Sequence, residues 1–551
     1  MALPAGRISG APLRALLAST RGPLTAPVAK IFRQQLGIDA LLALPAAERG
    51  SLPVNPLPLR ARSEHRRESL GLELPASRTW PNTSRDYQRA FQQGDLTPEA
   101  LVERSIRAAR RLAAQSPSVG GVMAFDESGA LEAARRSAAR RAAGEALPLD
   151  GVPVVIKEEV DLEGFLTALG TRFHATAAAT RDATAVARLR QAGAVVIGQS
   201  PMTQYGLSPL GVNPQRQMPR NPHDPTRLAG GSSTGSGVAV ATGVVPGALG
   251  LDGGGSIRVP AAFTGVFGIK PTFGRIPLTG HGLSSGTTVV HAGPIAGSSL
   301  DVALMLAAMS GPDGVDPFAE AAPATEDLLA ALGRGVRGLR IGVLESEFSA
   351  ASPAVASTVH DALSALRAEG AELVPVELPL AQHAAAMGFL TIGLEAYSGL
   401  LDVRREHFAE LNPDVQLTFR VLGAFGSDDY LDAQRLRARL RQQAAEALRD
   451  VDVLALPTAA DVAPKVTDAE MLSGFLDAAA LAAACRFAFL GNLTGLPAMS
   501  VPVGAVGKLP VGLQLVGDAW DEATLLQIAA HLERLGTAHV LRPEHCVDLL
   551  T

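Results

Sequence analysis

The segment LGLDGGGSIRVP, residues 249–260, places Ser256 directly after three glycines, Gly253, Gly254 and Gly255. Glycine has no Cβ and is costly to order, so three in a row within an apolar segment need a physical reason. One reason is a backbone that a substrate must approach closely, with the serine hydroxyl as nucleophile. The other is a loose connector, and the composition of this segment does not decide between the two.

A nucleophilic serine needs a base, because the hydroxyl is a weak nucleophile on its own. Histidine is the usual base, but none of the 11 histidines lies between residues 228 and 272. A lysine can take that role when burial disfavours its charged form. Lys157 ends the apolar run GVPVVIK (151–157), which makes it the candidate base. Since lone lysines at strand ends are usually solvated, this hypothesis rests on the lysine and the serines together.

Residues 231–235, GSSTG, match the G-x-S-x-G pattern of a hydrolase nucleophile elbow. That motif requires a strand immediately before the serine. The preceding segment RNPHDPTRLA (220–229) is a proline-broken loop, so we reject the elbow interpretation. A Walker A motif is absent, and no G-x-G-x-x-G follows a strand as dinucleotide binding would require.

Taken together, these segments resemble the amidase signature family. Residues 230–272 carry the glycine- and serine-rich block that ends in GIKPT, and LDGVPVVIKEEVDLEG (149–164) resembles the strand with the family's catalytic lysine. NPQRQMPRNPHD (213–224), DVLALPTAADVAP (452–464) and the blocks within 492–517 resemble further family segments. The resemblance runs in order over about residues 85–540 and leaves 1–80 outside.

The resemblance implies a serine–serine–lysine triad. Ser256 would be the nucleophile, and Ser232, after a cis peptide bond from Gly231, would be the bridging serine. Lys157 would be the terminal base that takes the proton through Ser232 as Ser256 attacks an amide carbonyl. Water would then hydrolyse the acyl-enzyme, releasing a carboxylic acid after ammonia or an amine has left.

The resemblance also assigns tasks to residues around Ser256. A tetrahedral oxyanion is best held by fixed backbone N–H groups. The N–H groups of Gly253, Gly254, Gly255 and Ser256 would form that oxyanion hole. The residues implied to support the site are Ser233, Asp252 and Arg258.

Several residues depart from the family pattern. Thr234 stands where glycine is usual, Leu251 where threonine is common, and Gly253 where a side chain is usual, which predicts a looser loop or a wider pocket. Glu158 and Glu159 follow Lys157, where aspartate and a neutral polar residue are more common. A carboxylate beside Lys157 would favour its ammonium form and oppose its role as a base. Glu159 is therefore expected to point elsewhere.

Substrate selection is attributed to two segments. In the family the loop after the VVIG strand contributes to the acyl pocket, and here it reads QYGLSPLG (204–211), with Tyr205 and Gly206 as candidate substrate-binding residues. The apolar, small-residue segment 381–400 is expected to form another wall. We infer a neutral or hydrophobic acyl group.

These residues must be held by a large α/β domain. Apolar runs at 151–157, 193–199, 338–344 and 452–457 predict buried strands, and helices near 184–192, 355–369 and 428–449 alternate with them. Such alternation favours parallel strands covered on both faces. The resemblance implies a large twisted mixed sheet covered by helices on both faces.

The N-terminal part is predicted to be organised differently. Residues 1–80 form a partly helical extension, followed by the catalytic domain at 81–551, with an extended linker at 51–59. The helix opening at DLTPEA has Thr97 as N-cap and Pro98 at its first position. Residues 1–38 hold five basic residues and no acid, as transit peptides do, but an amphipathic helix lying on the body is the favoured interpretation.

Composition excludes several classes of protein. The net charge is −5 and the predicted pI about 6.2, so nothing favours nucleic-acid binding. Cys485 and Cys546 are the only cysteines, which argues against a disulfide framework or a zinc site and favours the cytoplasm. No apolar run reaches the length of a spanning helix. Neither a cofactor nor a metal is expected.

The favoured function is an amidase that hydrolyses linear carboxamides. One alternative is the amidase-type subunit of a tRNA-dependent amidotransferase, which has the same triad but needs partner proteins. The segment GTTVVHAGPIAGSSLDV (286–302) lacks the serine–serine–leucine–aspartate–glutamine run associated with that type of chain. Another is an inactive scaffold of the same fold. The sequence leaves open the physiological amide, the choice between amides and esters, and the oligomeric state, with a homodimer as one candidate.

Overall fold

The computed structural model describes residues 7–20, 25–45, 48, 56–61, 80, 82–282 and 287–551. Part of the predicted linker, residues 51–55, and most of the stretch up to the predicted boundary at residue 80 lie outside the described residues. None of the helices in the described ranges combines the length and the apolar character needed to cross a membrane.

An eleven-stranded mixed sheet forms the centre of the fold, with strand order β2-β4-β3-β5-β7-β6-β12-β13-β10-β8-β9. A separate pair, β1 and β11, joins the N-terminal segment to the body. The strands are β1 (Ile8–Ser9), β2 (Ala124–Phe125), β3 (Pro153–Lys157), β4 (Val195–Ser200), β5 (Gly247–Asp252), β6 (Phe267–Lys270), β7 (His291–Ala296), β8 (Arg340–Val343), β9 (Glu372–Pro375), β10 (Val453–Pro457), β11 (Phe475–Leu476), β12 (Ala498–Val506) and β13 (Leu509–Gly517).

Parallel pairing occurs in two parts of this sheet. β3 lies parallel between β4 and β5, and β8 lies parallel between β10 and β9. The pairings between these two parts are antiparallel, as is that of β2 with β4. The expectation of parallel strands therefore holds only where helices connect them, and the implied mixed sheet is confirmed. Every residue of β3, β5 and β13 is buried, which requires cover on both faces.

Helices supply that cover. The sheet contacts α5, α6, α8, α9, α10, α13 and α21, among others. The helices are α1 (Gly10–Ser19), α2 (Thr25–Gln35), α3 (Ile38–Leu42), α4 (Ser84–Gln93), α5 (Pro98–Ala113), α6 (Glu127–Ala142), α7 (Thr184–Gln191), α8 (Thr234–Ala241), α9 (Arg258–Thr264), α10 (Ser299–Met309), α11 (Glu326–Ala331), α12 (Glu345–Phe348), α13 (Pro353–Ala368), α14 (Ala384–Gly399), α15 (Leu401–Glu406), α16 (Pro413–Leu422), α17 (Ser427–Ala447), α18 (Asp468–Ser473), α19 (Ala478–Cys485), α20 (Phe489–Thr494) and α21 (Glu522–Arg534).

Local signals predicted these elements well. The Thr97 side chain caps α5 by accepting from Ala100 N–H, and Pro98 occupies the first helical position. The helices predicted at 184–192, 355–369 and 428–449 are confirmed as α7, α13 and α17. Each starts within two residues of its predicted position.

The N-terminal helices pack on the body. Ile8, Leu13, Leu17, Val28 and Phe32 form one apolar cluster with residues of α16. Arg7 adds ion pairs to Glu470 and Asp477, at 3.2 and 3.3 Å. The favoured interpretation, a helical segment lying on the body, agrees with these contacts. The division into an extension and a catalytic domain at residue 80 stays a prediction.

Candidate active site

Lys157 is the last residue of β3, which lies between β4 and β5, and it is completely buried. Its Nζ donates a hydrogen bond to Ser232 Oγ over 2.7 Å. These two residues are separated by 75 positions in the chain. The structure therefore brings together the lysine and the serine that the sequence analysis paired.

Ser232 lies in the loop that leads into α8. The peptide bond from Gly231 to Ser232 is cis, as the family resemblance implies. The next residue ties this loop to the nucleophile candidate, because Ser233 N–H donates to the Ser256 carbonyl over 3.2 Å. The Ser233 hydroxyl also donates to the Leu251 carbonyl over 3.1 Å. Ser233 thus holds the two serine loops against each other.

Ser256 lies in the turn between β5 and α9, and it is 7% exposed. Gly255 has φ +112°, a conformation that a residue with a side chain rarely adopts. A Cβ at Gly254 would lie 2.5 Å from the Phe489 ring. Ser256 and Ser232 line the same small cavity, but among the described residues the Ser256 hydroxyl has no hydrogen-bond partner. Of the two hydrogen bonds that the predicted triad requires, the structure contains the one between Lys157 and Ser232.

The backbone N–H groups of the glycine turn differ in availability. Gly255 N–H donates to Asp252 Oδ1 over 2.7 Å. That donor is occupied in this structure, and the role of Gly255 in the oxyanion hole stays a prediction. Within the described part of the chain, no acceptor binds the N–H groups of Gly253, Gly254 or Ser256. These three donors remain available for an oxyanion.

Asp252 and Arg258 form a buried ion pair beneath the turn, with Arg258 Nη2 and Asp252 Oδ1 2.9 Å apart. Asn492 donates to Asp252, and Arg258 donates to Asn492 Oδ1 and Gln514 Oε1 over 2.6 Å. Asp252 also accepts from the N–H groups of Gly255 and Ile257. The pair thereby anchors the turn that carries Ser256 to α20 and β13.

The charge state of Asp252 follows from these contacts. Burial by itself would raise the pKa of this carboxyl. The Arg258 guanidinium and the hydrogen bonds from Asn492 and Gly255 outweigh burial and hold the pKa well below its usual range. A depressed folded-state pKa contributes stability above the unfolded-state pKa, and that stability is lost as the pH falls.

We expect Asp252→Asn to lower the free energy of unfolding at neutral pH by about 3–5 kcal/mol, because it leaves the Arg258 guanidinium buried without its counter-ion. Urea unfolding of the native and variant chains measures this. The difference between them should shrink as the pH is lowered below about 4. Glu132→Gln, which breaks an exposed ion pair with Arg136, is the control and should cost about 0.5 kcal/mol. Equal losses in the two variants would contradict a structural role for the buried pair.

Glu159 does not point away from the site. Its Oε2 lies 2.7 Å from Lys157 Nζ, and its side chain is 5% exposed. The expectation that it points elsewhere is wrong. The backbone explains why, since Gly282 N–H binds the Glu159 carbonyl and Val160 pairs with His281. These contacts fix the backbone of the turn from which the Glu159 side chain reaches Lys157.

Glu158 has a different task from its neighbour. Its carboxylate pairs with Arg216 at 2.9 Å and accepts from Met202 N–H over 3.1 Å. It thus fixes the loop after β4. Each carboxylate therefore contacts one basic side chain, Lys157 or Arg216. In the described part of the chain, no group of three or more His, Cys, Asp or Glu side chains could hold a metal ion.

Tyr205 and Gly206 both border the Ser256 cavity. Tyr205 has φ +52°, and its hydroxyl lies 3.3 Å from His174 Nδ1. Burial raises the pKa of this phenol, so it is neutral near pH 7. A Cβ at Gly206 would lie 3.3 Å from Ser232 Oγ. The predicted substrate-binding pair is therefore adjacent to the serines, although its binding role stays a prediction.

Ser256 lines two cavities, which we call lobes of the site. The small polar lobe contains Lys157, Glu159, Ser232 and Thr287. The larger lobe, which we call the apolar lobe, encloses about 960 Å³ of space not filled by protein, including its mouth. It is lined by Phe32, Leu36, Ile38, Gly206, Leu207, Pro209, Gly254, Ser256, Phe389, Leu390, Ile392, Gly393, Thr418, Val421, Leu422, Phe425, Leu476, Ala478, Leu481, Cys485 and Phe489.

Gly253 has a structural explanation in this arrangement. A Cβ at this position would lie 2.5 Å from Ile392 Cδ1 and 3.1 Å from Val290 Cγ2. Ile392 belongs to α14, within the segment 381–400 that was predicted to form a wall. The side chain of Ile392 thus fills the space that a side chain at position 253 would occupy. The glycine therefore does not widen the pocket at this point.

Sequence reasoning missed several residues of the site. Asn492 and Gln514 lie inside C-terminal blocks that carry the family resemblance, so their place in the pattern was a usable signal. Phe32 and Leu36 line the apolar lobe from the N-terminal segment. The four-residue spacing of Val28, Phe32 and Leu36 marks one face of a helix, but periodicity does not say what that face covers.

Comparisons with known proteins show which family the chain is similar to. The Amidase family model matches residues 101–526. A fatty acid amide hydrolase of Medicago truncatula is 34% identical over 513 residues, covering 89% of this chain and 84% of that protein. A glutamyl-tRNA(Gln) amidotransferase subunit of Roseiflexus castenholzii is 35% identical, covering 79% and 92%. The solved structure of native peptide amidase from Stenotrophomonas maltophilia aligns with a TM-score of 0.69 and 28% identity, covering 84% of this chain and 99% of that one.

Proposed function

This chain belongs to the amidase family, and we propose that it hydrolyses linear carboxamides through Ser256, Ser232 and Lys157. The observation that carries the assignment of residues is the 2.7 Å hydrogen bond between Lys157 and Ser232 beside the cavity that Ser256 lines. Family membership supports the reaction class, and this contact supports the choice of residues.

The reaction proceeds in two steps. The neutral Lys157 amine accepts the Ser232 proton, while Ser232 accepts the proton of Ser256 as its Oγ bonds to the amide carbonyl carbon. The relay returns the proton to the leaving nitrogen, the C–N bond breaks, and ammonia or an amine departs. Water then attacks the acyl-enzyme, again through the relay, and releases the carboxylic acid. The hydrogen bond between Ser256 and Ser232 has to form when substrate binds, as often happens in apo sites.

The carbonyl oxygen becomes negatively charged in the tetrahedral intermediate. The N–H groups of Gly253, Gly254 and Ser256 are the donors available to it, and each donor of this kind contributes about 2.7–4 kcal/mol. Asp252 accepts a hydrogen bond from the Gly255 N–H and so fixes the turn that carries the other three donors. The turn is thereby organised before substrate binds.

The acyl group is proposed to enter the apolar lobe. Its lining is almost entirely hydrocarbon, and it reaches Ser256 and Gly254 directly. An apolar acyl chain gains free energy from leaving water there, whereas a charged chain would lose hydration without a compensating partner. The substrate class is therefore an amide with a hydrophobic acyl group, which accords with the fatty acid amide hydrolases among its relatives.

We expect kcat/KM for primary amides to rise with the length of the acyl chain, by roughly fourfold for each methylene that the lobe buries. A series from acetamide to long-chain amides, with detection of ammonia, measures this. Turnover of charged amides without turnover of apolar ones would contradict the proposed acyl group.

A variant pair tests whether the N-terminal helices select the acyl chain. Phe32→Ala should lower kcat/KM for long amides and leave acetamide hydrolysis unchanged, because only long chains reach α2. Lys30→Ala, on the exposed side of the same helix, is the matched control. Equal responses of short and long amides to Phe32→Ala would argue against an acyl-binding role.

The amidase-type subunit of a tRNA-dependent amidotransferase is the second candidate, supported by relatives that are 35% identical. A glutamine side chain is polar, and the apolar lobe has few groups that could form hydrogen bonds with it. We therefore place this candidate second. A glutaminase assay with the other amidotransferase chains and tRNA separates the two. Localisation in the cytoplasm and a homodimeric state stay predictions.

A further inference from the structure

Thr287 contributes a hydroxyl group to the polar lobe from the segment just before β7. Its Oγ1 is buried and has no hydrogen-bond partner in the described part of the chain. Buried polar groups in folded proteins are almost always paired, because an unpaired one loses its bonds to water without compensation. The Thr287 hydroxyl therefore has the capacity to bind a polar group that enters this lobe.

The backbone next to Thr287 is held by a buried network. Thr288 N–H donates to Glu395 Oε2 over 2.9 Å, and the Thr288 hydroxyl donates to Glu395 Oε1 over 2.6 Å. Arg437, which is completely buried, donates through Nη2 to the Thr288 carbonyl over 2.8 Å. The hydroxyl of Thr287 is thus carried by a segment whose position is fixed before substrate binds.

The same segment runs past the glycine turn. His291 of β7 pairs with Asp252 of β5 in the antiparallel sheet. A Cβ at Gly253 would lie 3.1 Å from Val290 Cγ2. Thr287 therefore approaches the polar lobe from the strand beside the turn that carries Ser256.

The leaving nitrogen of the substrate is expected in this lobe. In the proposed reaction the carbonyl oxygen binds the N–H groups of the glycine turn, and the acyl chain enters the apolar lobe. Ser232, which delivers the proton to the nitrogen, borders the polar lobe. A primary amide brings two N–H donors with its nitrogen, and these need acceptors once they leave water.

The other polar groups of the lobe already have contacts. Ser232 Oγ accepts a hydrogen bond from Lys157 Nζ over 2.7 Å, and Glu159 Oε2 lies 2.7 Å from the same nitrogen. The Tyr205 hydroxyl lies 3.3 Å from His174 Nδ1. Thr287 Oγ1 differs from these groups in having no such contact, and a hydroxyl oxygen can accept through either of two lone pairs.

We propose that the Thr287 hydroxyl accepts a hydrogen bond from an N–H of the leaving group and so favours amides over esters. The proposal rests on the proposed function and names the part of the substrate that the polar lobe recognises. With one N–H held by Thr287, the nitrogen of the tetrahedral intermediate turns its lone pair toward Ser232 and takes the proton. The C–N bond then breaks, ammonia departs, and the acyl group remains on Ser256. An ester has no N–H on its leaving side and gains nothing from this contact.

The kinetic test compares a primary amide with the methyl ester of the same apolar acid. Because the two share the acyl chain, a general disturbance of the site would lower both rates together. Thr287→Val keeps the shape of the side chain and removes the hydroxyl. We expect the ratio of amide to ester kcat/KM to fall by about three- to tenfold in this variant. Thr287→Ser retains the acceptor and should keep the ratio near its native value.

Thr358→Val is the matched control, because the hydroxyl that it removes is paired with the Ala354 carbonyl over 2.8 Å within α13. It should leave both rates unchanged. An unchanged ratio in Thr287→Val, in a chain that hydrolyses both substrates, would overturn the proposal and leave the proposed function standing.

A binding measurement separates this proposal from the proposed function. Octanamide is titrated calorimetrically into Ser256→Ala, which prevents turnover, and into the same chain with Thr287→Val or Thr287→Ser. We expect about three- to tenfold weaker binding with valine and near-native binding with serine. This pattern, found for a native chain that hydrolyses neither substrate, would sustain the contact and overturn the proposed function. Equal binding by all three variants of such an inactive chain would overturn both.

Discussion

Ser256→Ala is expected to lower amide hydrolysis by about 10,000-fold or more, leaving only the contribution of binding and of the oxyanion donors. The alanine retains the backbone N–H and the turn but cannot form the acyl-enzyme. The measurement is the rate of ammonia release from the best apolar amide, together with mass spectrometry of the protein during turnover. Native enzyme should carry one acyl group, and the variant should carry none.

The structure also supplies the control for this variant. Ser346→Ala removes the hydroxyl of an exposed serine in α12 and should retain native activity. Unfolding in urea should show that Ser256→Ala is as stable as the native chain to within about 1 kcal/mol, since a small polar group is lost at a partly open site. An acyl adduct that persists in Ser256→Ala would refute the assignment of the nucleophile.

Removal of Lys157 should be almost as damaging as removal of Ser256. Residues that act as one relay are strongly non-additive, so Lys157→Met should also cost about 1,000-fold or more, and adding Ser256→Ala should cost little further. Lys157→Met alone would leave Glu159 as an unpaired buried carboxylate, which costs about 3–5 kcal/mol of stability. The double variant Lys157→Met/Glu159→Gln avoids this by keeping the cavity neutral, and it is the one to assay.

Lys508→Met is the matched control, because that lysine side chain is 62% exposed. It should have native rates. If Lys157→Met/Glu159→Gln retained a tenth or more of the native rate, Lys157 would not be the base of the relay. If instead the loss of rate in Lys157→Met/Glu159→Gln multiplied fully with the loss in Ser256→Ala, Lys157 and Ser256 would act independently.

Local patterns in the sequence predicted much of the fold. Thr97 and Pro98 mark the start of α5 because capping and a fixed φ act over one turn of helix. The apolar run at 151–157 predicts β3 because a strand buried on both faces has no polar alternation. Such signals involve neighbours in the chain, so they are readable without knowledge of the packing.

The candidate triad was identified from the family resemblance rather than from periodicity. Lys157, Ser232 and Ser256 lie in three separate segments, and nothing local to any of them requires the other two. The structure supplies the contact between Lys157 and Ser232, while the contact between Ser232 and Ser256 stays a prediction. The expected orientation of Glu159 was wrong, and the Gly255 N–H, which was predicted to lie in the oxyanion hole, binds Asp252 in this structure. Both outcomes depend on which group lies next to the Gly255 N–H and next to the Glu159 carboxylate, and a sequence motif does not contain that information.

What the sequence by itself determined is the set of chemical groups, the local elements that carry them and the family to which they belong. Only the tertiary structure decided which groups meet. Asn492 reaches Asp252 across 240 residues, and Phe32 reaches the apolar lobe from the N-terminal helices. Contacts over such separations are set by burial of whole faces of helices and strands, which depends on the complete fold. The charge beside Lys157 and the shape of the acyl pocket are both decided at that level.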